Sequence, residues 1–512
     1  MVLPVTATRQ IGLIVLLGLG LLAGLPARGE TNRYLLDIPA YDWQYGCFGT
    51  ACGILMGYWD RNGFPNLYTG PTAGGVAPLT DAGTNAGIRS LWASEAGFDG
   101  RSATNYGHVD DYWVAYENEG PDPWHTRGYE HSPDCVGDFI GLNQNRWTNM
   151  NGECNGNRDG WAFNYFDTSG ARRVNFTPGP EAGLPARDVQ SGLRAYAEYC
   201  GYAADSFSQL VDIWTDTPPG QGFTFQEVVR EIDAGYPLII MLQDHVYARP
   251  SGYNPDVHAL VVCGYRVTDA GVQQVRVRTG WDSDTNSYDL KRWANEKWYS
   301  WFGSWPRGVI GFRPRPKVSS LICSGGTFTI SWAGPQARLY DVVADTVSTL
   351  HWYVVEGSSS LTGAPFEVIS PAVSGLTLTL TNPADTVLFL RVRHLERVTI
   401  PDTNLRHAVE NAITNKYGPA DMLFDIDLEE IFQLDARQTN IVQLEGLQYA
   451  VNLTNLDLDG NLVTQVDALV LNCDWNGLGE GDRVCLSNNP LNDFARTNQI
   501  PYLTNHGVCV YW

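Results

Sequence analysis

The stretch Tyr41–Asp60 reads YDWQYGCFGTACGILMGYWD, and the rest of the chain is organised around it. Cys47 follows a flexible Tyr45-Gly46 step. After it, Ala51, Ile54, Leu55 and Tyr58 recur at three- and four-residue spacings, which predicts a helix with one apolar face. Gly49-Thr50 suits its entry. A thiol at a helix start lies in the positive end of the macrodipole, which favours the thiolate. The competing reading is a small buried hydrophobe, the ordinary state of a free cysteine and the one expected for Cys52 inside the helix.

A second stretch, Asp256–Asp282, reads DVHALVVCGYRVTDAGVQQVRVRTGWD. His258 opens an apolar run, a turn follows near Thr268–Gly271, and Gln274–Thr279 predicts the returning strand. A histidine at the mouth of a buried hairpin is held rigidly enough to act as a general base. A cysteine and a histidine far apart in sequence, each on a rigid element, are the pattern of a nucleophile and its base.

Cys47-Phe48-Gly49-Thr50-Ala51 followed by Gly57-Tyr58-Trp59-Asp60 resembles the nucleophile helix of bacterial papain-fold peptidases, in particular the bacteriocin-leader-peptidase-like family. His258-Ala259 through Gly264-Tyr265 is similar to the hairpin that carries that clan's histidine. Thr279-Gly280-Trp281 resembles the strand end that holds the third catalytic residue. The resemblance covers about Leu35–Pro314 and implies an α+β papain-like domain that hydrolyses peptide bonds with Cys47 as nucleophile and His258 as base, without cofactor or metal. Phe48 stands where a small residue is usual. Thr279 stands where an Asn or Asp would orient the histidine, and Asp282 is the nearest carboxylate. Gln44, three residues before Cys47, is the candidate for the oxyanion site, which a backbone amide of the helix start also supplies.

A chain of 512 residues predicts several domains, and the expected order is an α+β papain-like domain, an all-β sandwich and an α/β leucine-rich repeat solenoid. A net charge of −22 argues against a nucleic-acid partner. Arg9, the uncharged run Ile11–Leu25 and the small residues at Ala27 and Gly29 predict a secretory signal over 1–29. The alternative, a membrane anchor, needs a span of about 20 residues. The expected protein is thus secreted or extracellular, in the periplasm or at the cell surface, with no membrane partner after cleavage. Disulfides are possible there: Cys135 with Cys154 is the preferred pair and Cys473 with Cys485 the second, whereas Cys200, Cys263 and Cys323 read as buried.

The catalytic-type domain spans 30–316. Asp81–Gly97, Val189–Tyr202 and Phe225–Ala234 read as helices and Leu238–Leu242 as a strand. An insertion at about 101–180, rich in Gly, Asn, Asp, Trp and Tyr, either shapes access to the cleft or is a structural excursion. Asn155-x-Asn157-x-Asp159-Gly160 and Asp282-x-Asp284-x-Asn286 echo half an EF-hand loop, but the twelfth positions are Phe166 and Trp293, and turns rich in Asx residues explain both. His108, His125 and His131, with nearby aspartates, lack metal-ligand spacing. H-E-x-x-H, G-x-S-x-G and phosphate-loop motifs are missing.

Pro314-Arg315-Pro316 marks a boundary, and 317–398 reads as short alternating strands: Thr327–Trp332, Leu339–Val343, His351–Val355, Leu376–Leu380 and Val387–Val392. Ser331-Trp332, Tyr340-Asp341-Val342-Val343 and Phe389-Leu390-Arg391-Val392 resemble a fibronectin type III module. Over 399–512 a helical cap (Leu405, Ala408, Val409, Ala412, Ile413) leads into a repeat frame. Leu453, Leu456, Leu458, Asn461 and Val463 match it, as do Ile431, Leu434, Ala436, Thr439 and Ile441 22 residues earlier and Val484, Leu486, Asn489 and Leu491 later. This resembles the short leucine-rich modules of bacterial secreted proteins, which implies a protein or surface-polymer partner. The expected function is a secreted cysteine peptidase acting on a peptide or protein; the alternative is a catalytically inactive papain-fold adhesin that binds through the repeats.

Overall fold

The computed structural model describes residues 30–41, 47–68, 76–80, 136–141, 162–179, 187–211, 222–243, 257–280, 296–301, 306–360, 365–381 and 389–512. The expected signal segment, the helix Asp81–Gly97, Cys135, Cys154 and most of the insertion lie outside them. The chain forms a mixed α/β assembly with several sheets.

The largest sheet has ten strands. Its order is β12 (Thr346–Thr349), β11 (Arg338–Asp341), β1 (Thr31–Leu35), β5 (Val257–Val267), β4 (Leu238–Gln243), β8 (Pro306–Pro314), β3 (Ala204–Leu210) and β2 (Arg173–Val174). On the far edge of β5 lies β6 (Gln273–Arg278), followed by β7 (Glu296–Ser300). One edge of β5 serves two partners, pairing through Val257–Val262 with β4 and through Gly264–Val267 with β1. Gly264 permits this, because a Cβ there would stand 2.5 Å from the Cβ of Tyr34.

Helix α1 (Cys47–Arg61) packs on β5 and β4. The expected single apolar face is corrected: every residue from Phe48 to Asp60 is buried. The sheet covers one side, α2 (Val136–Phe139) and Tyr41 the other, and a helix enclosed on all sides is apolar on all sides. Helix α3 (Val189–Tyr199) starts where Asp188 accepts from the Ser191 amide at 2.9 Å, and α4 (Phe225–Asp233) where Thr224 and Glu227 form a reciprocal cap.

Beyond Pro316, β9 (Lys317–Ser324), β10 (Thr327–Ala333) and β15 (Thr377–Thr381) form one three-stranded sheet, and β13 (Trp352–Ser358), β14 (Glu367–Val368) and β16 (Phe389–Leu395) another. They share a core of Ile330, Trp332, Tyr353 and Val355. The expected sandwich strand Leu339–Val343 lies elsewhere. Its residues Arg338–Asp341 join the large sheet through β1, held by Arg33 on Asp341 (2.8 Å) and by the edge-to-face rings of Tyr34 and Tyr340. The strand stops at Asp341 because its carboxylate caps the amides of Val343 and Ala344.

The last part begins with the short pair β17 (Arg397–Val398) and β18 (Leu423–Phe424), and includes α5 (Thr403–Ala412), capped by Asp402, and α6 (Asp425–Glu429). Four parallel strands follow: β19 (Gln433–Asp435), β20 (Asn455–Asp457), β21 (Arg483–Cys485) and β22 (Cys509–Tyr511), with Leu434, Leu456, Val484 and Val510 in register. This is leucine-rich repeat stacking. Asn461 accepts from the amides of Thr439 and Ile441 and donates to the carbonyls of Ala436 and Leu458; Asn489 repeats the pattern one coil on. The fourth strand was not anticipated. The expected Cys473–Cys485 bridge is corrected to two free thiols, because Cys473 sits on α7 (Asp467–Asp474) and Cys485 on the sheet. Cys323, expected buried, is exposed because β9 is an edge strand. Among the described residues no helix is long and apolar enough to cross a membrane.

Candidate active site

Cys47 is the first residue of α1 and is half-buried. The backbone amides of Ala259 on β5, of Phe48 and of Cys47 itself act on its thiol, each lowering its pKa. All three favour the thiolate, yet burial outweighs them and the thiol is pushed above its ordinary value. The expectation of a thiolate favoured by the helix start is therefore corrected: desolvation wins. Cys52, fully buried in the same helix, is also pushed up, again by burial first, as befits a core cysteine.

His258 is the second residue of β5, paired with Leu242. Its Nε2 lies 2.9 Å from the carbonyl oxygen of Thr279, just past the end of β6. A carbonyl only accepts, so the ring proton sits on Nε2, leaving the lone pair of a neutral imidazole at Nδ1. Thr279 is buried, and Gly280 after it holds φ at +67°, where L side chains are strained. A Cβ on Gly280 would lie 3.0 Å from Cγ2 of Thr50, one turn into α1. The helix start, the first residues of β5 and the end of β6 thus meet at one place. The two stretches singled out in the sequence pack together, with α1 on β5 and Gly280 against Thr50.

Gln44 and Asp282 lie outside the described residues, as do Trp281, His108, His125, His131 and both echoes of a calcium loop. Among the described residues no group of three His, Cys, Asp or Glu side chains could hold a metal. Sequence reasoning missed the Thr279 carbonyl, since a main-chain acceptor leaves no mark in residue identity; the adjacent glycine was the available signal. It also assigned nothing to Asp60, buried at the end of α1. Its carboxylate accepts from the amides of Ala77 (2.8 Å) and Tyr68 (3.4 Å), and burial raises it to about 6.

A separate cleft of about 360 Å³ is lined by Arg172, Phe207, Tyr236, Arg313, Arg315 and Glu396 among others. It lies at the Pro314 end of β8, whereas His258 lies level with the Pro306 end, roughly 25 Å away along the strand direction. Its arginines are already committed, Arg172 to Glu227, Arg313 to Glu231 and Arg315 to Asp205.

No family model matches the chain, and no curated protein matches it. Among solved structures, an internalin (inlF) of Listeria monocytogenes is 21% identical over 22% of this chain and 30% of its own, with a TM-score of 0.18. Internalin C2 (inlC2) of the same species is 35% identical over 19% and 39%, with a TM-score of 0.16. The CBM51-2 and INT domains of Clostridium perfringens ZmpB are 10% identical over 42% and 72%, with a TM-score of 0.14. This chain therefore spans well under half the length of either internalin.

Proposed function

We propose that the chain is a cysteine-dependent hydrolase of peptide (amide) bonds on a papain-like scaffold, exported from the cell. What supports the reading is the packing of α1, which starts at Cys47, on β5 and against Gly280, together with the contact of His258 Nε2 with the Thr279 carbonyl. His258 Nδ1 takes the thiol proton as Cys47 attacks the substrate carbonyl, and backbone amides of the helix start receive the oxyanion. His258 returns the proton to the leaving amine. It then deprotonates the water that hydrolyses the thioester, releasing the acid and the free thiol.

The test is peptide-mapped alkylation of the full chain, because Cys323 and Cys509 are exposed thiols that also react. Cys47 is expected to label with a rate that falls by about 10²-fold or more in His258→Ala. Equal Cys47 labelling in the two proteins removes the hydrolase. A second reading, an inactive papain-like adhesin that binds a protein or surface polymer through the repeats, is favoured by the burial that raises the Cys47 thiol and by the exposed polar residues Gln433, Asp435, Asn455 and Arg483 on the repeat strands. Under it, Cys47→Ala leaves all function intact and substitutions at those strand positions abolish attachment.

A further inference from the structure

Edge strands carry unpaired amides and carbonyls, and proteins protect them with charge, proline, bulges or brevity. The large sheet follows this rule at one end: β2 has two residues, and Asn175 covers the neighbouring Ser206 with both its backbone and its side chain. Strand β9 is different. It has eight residues, all exposed, and pairs along one edge with β10; among the described residues its other edge has no backbone partner.

A bulge divides the strand. Ser331 of β10 faces Ser320 and Trp332 faces Val318, so Ser319 is the extra residue. The bulge twists the half next to the large sheet, where Lys317 reaches the Gly201 carbonyl. The other half, Ser320–Ser324, remains regular and pairs residue for residue with Thr327–Ser331. It reads Ser-Leu-Ile-Cys-Ser, without charge, and exposes Leu321 by 50% and Ile322 by 60%.

The surrounding sheet face is equally uncharged. Thr327, Thr329 and Ser331 of β10 pair with Thr381, Thr379 and Thr377 of β15, Thr329 and Thr379 through their hydroxyls at 2.8 Å. In a chain of net charge −22, two copies repel over most of their surfaces but meet no like charge here.

We infer that Ser320–Ser324 is the pairing edge through which two copies of this chain join, antiparallel about a two-fold axis at Ile322, into one six-stranded sheet. That axis sets Ile322 opposite its own copy, Leu321 opposite Cys323 and Ser320 opposite Ser324, so each exposed apolar side chain gains an apolar or sulfur neighbour. The contact is independent of the Cys47 site.

The test uses the full chain in a Cys323→Ser, Cys509→Ser background, which removes both exposed native thiols. Ile322→Cys is expected to give a covalent dimer on mild oxidation, because directly opposed Cβ atoms lie about 5 Å apart. Val343→Cys, at an equally exposed position off the strand, is expected to give no covalent dimer. Sedimentation at micromolar concentration should give a dimer for the unmodified chain, and Ile322→Lys should raise its dissociation constant about tenfold or more. A monomer at every concentration overturns the inference, including one that takes up an extended peptide instead. So does a dimer that Ile322→Lys leaves intact with an unchanged circular dichroism spectrum, or equal cross-linking at position 343.

Discussion

Gly280 couples the two halves of the candidate site through two constraints. Its φ of +67° aims the preceding Thr279 carbonyl at His258 Nε2, and Thr50 approaches from α1 to within one methyl group. Gly280→Ala places a Cβ 3.0 Å from Thr50 Cγ2 and adds a left-handed strain of about 1–2 kcal/mol. The expected outcome is a fall in stability of that order, together with loss of the His258 contact, read as a slower alkylation of Cys47. Adding Thr50→Ser deletes the crowding methyl, and part of both effects should return. An alanine variant with unchanged midpoint and rate would show that the strand end tolerates a side chain and that the carbonyl is not held by this contact. A side-chain acceptor was the natural sequence expectation at this position, since only side chains differ between residues.

Elements meet at a pair of histidines on β16 and just before β13. His351 Nδ1 and His394 Nε2 lie 2.8 Å apart; His351 is buried against Gly235 and Tyr236 of the turn that precedes β4, and the His394 ring lies tilted beside that of Tyr353, 5.2 Å between centroids. Among the described residues, the buried His351 Nε2 has no hydrogen-bond partner. Desolvation is the leading cause that holds both rings neutral, His351 far below its ordinary value and His394 down to about 4. Unfolded histidines titrate near 6.5, so between about 6.5 and 4 the unfolded chain binds more protons than the folded one. Stability from this pair is thus complete above the unfolded value and drains away as pH falls through that window. His394→Gln keeps a polar atom for His351 Nδ1, and the slope of the urea midpoint against pH over that window is expected to flatten. An unaltered slope would assign the acid sensitivity to other groups. Within the repeats, by contrast, neutral side chains do the linking: Asn461 satisfies backbone groups of two successive coils, and its position in the repeat frame made that role readable.

At the scale of the whole molecule, the boundary drawn at Pro314-Arg315-Pro316 does not separate independent sheets. Strand β1 lies between β5 and β11, so residues beyond the boundary complete the large sheet. Arg33 joins Asp233 of α4 at 3.2 Å and Asp341 of β11 at 2.8 Å. A chain ended after Pro316 loses β11 and leaves the edge of β1 bare. It is expected to melt at a lower temperature than the full chain and to scatter light on heating, as exposed edges do. An unchanged melting temperature would mean that the first 316 residues close their own sheet.

Local chemistry was readable from the chain. The start of α1 at Cys47, the hairpin opened by His258 and the asparagine frame of the repeats all depend on neighbours a few positions apart, where spacing and residue type carry the physics. Three features depended on the folded arrangement instead: the pairing of β1 with β11 across 300 residues, the carbonyl that receives His258, and the state of the Cys47 thiol. Each is set by what approaches from elsewhere. A strand edge accepts any extended segment that packs, a main-chain oxygen is common to every residue, and desolvation is a property of the surroundings rather than of the cysteine.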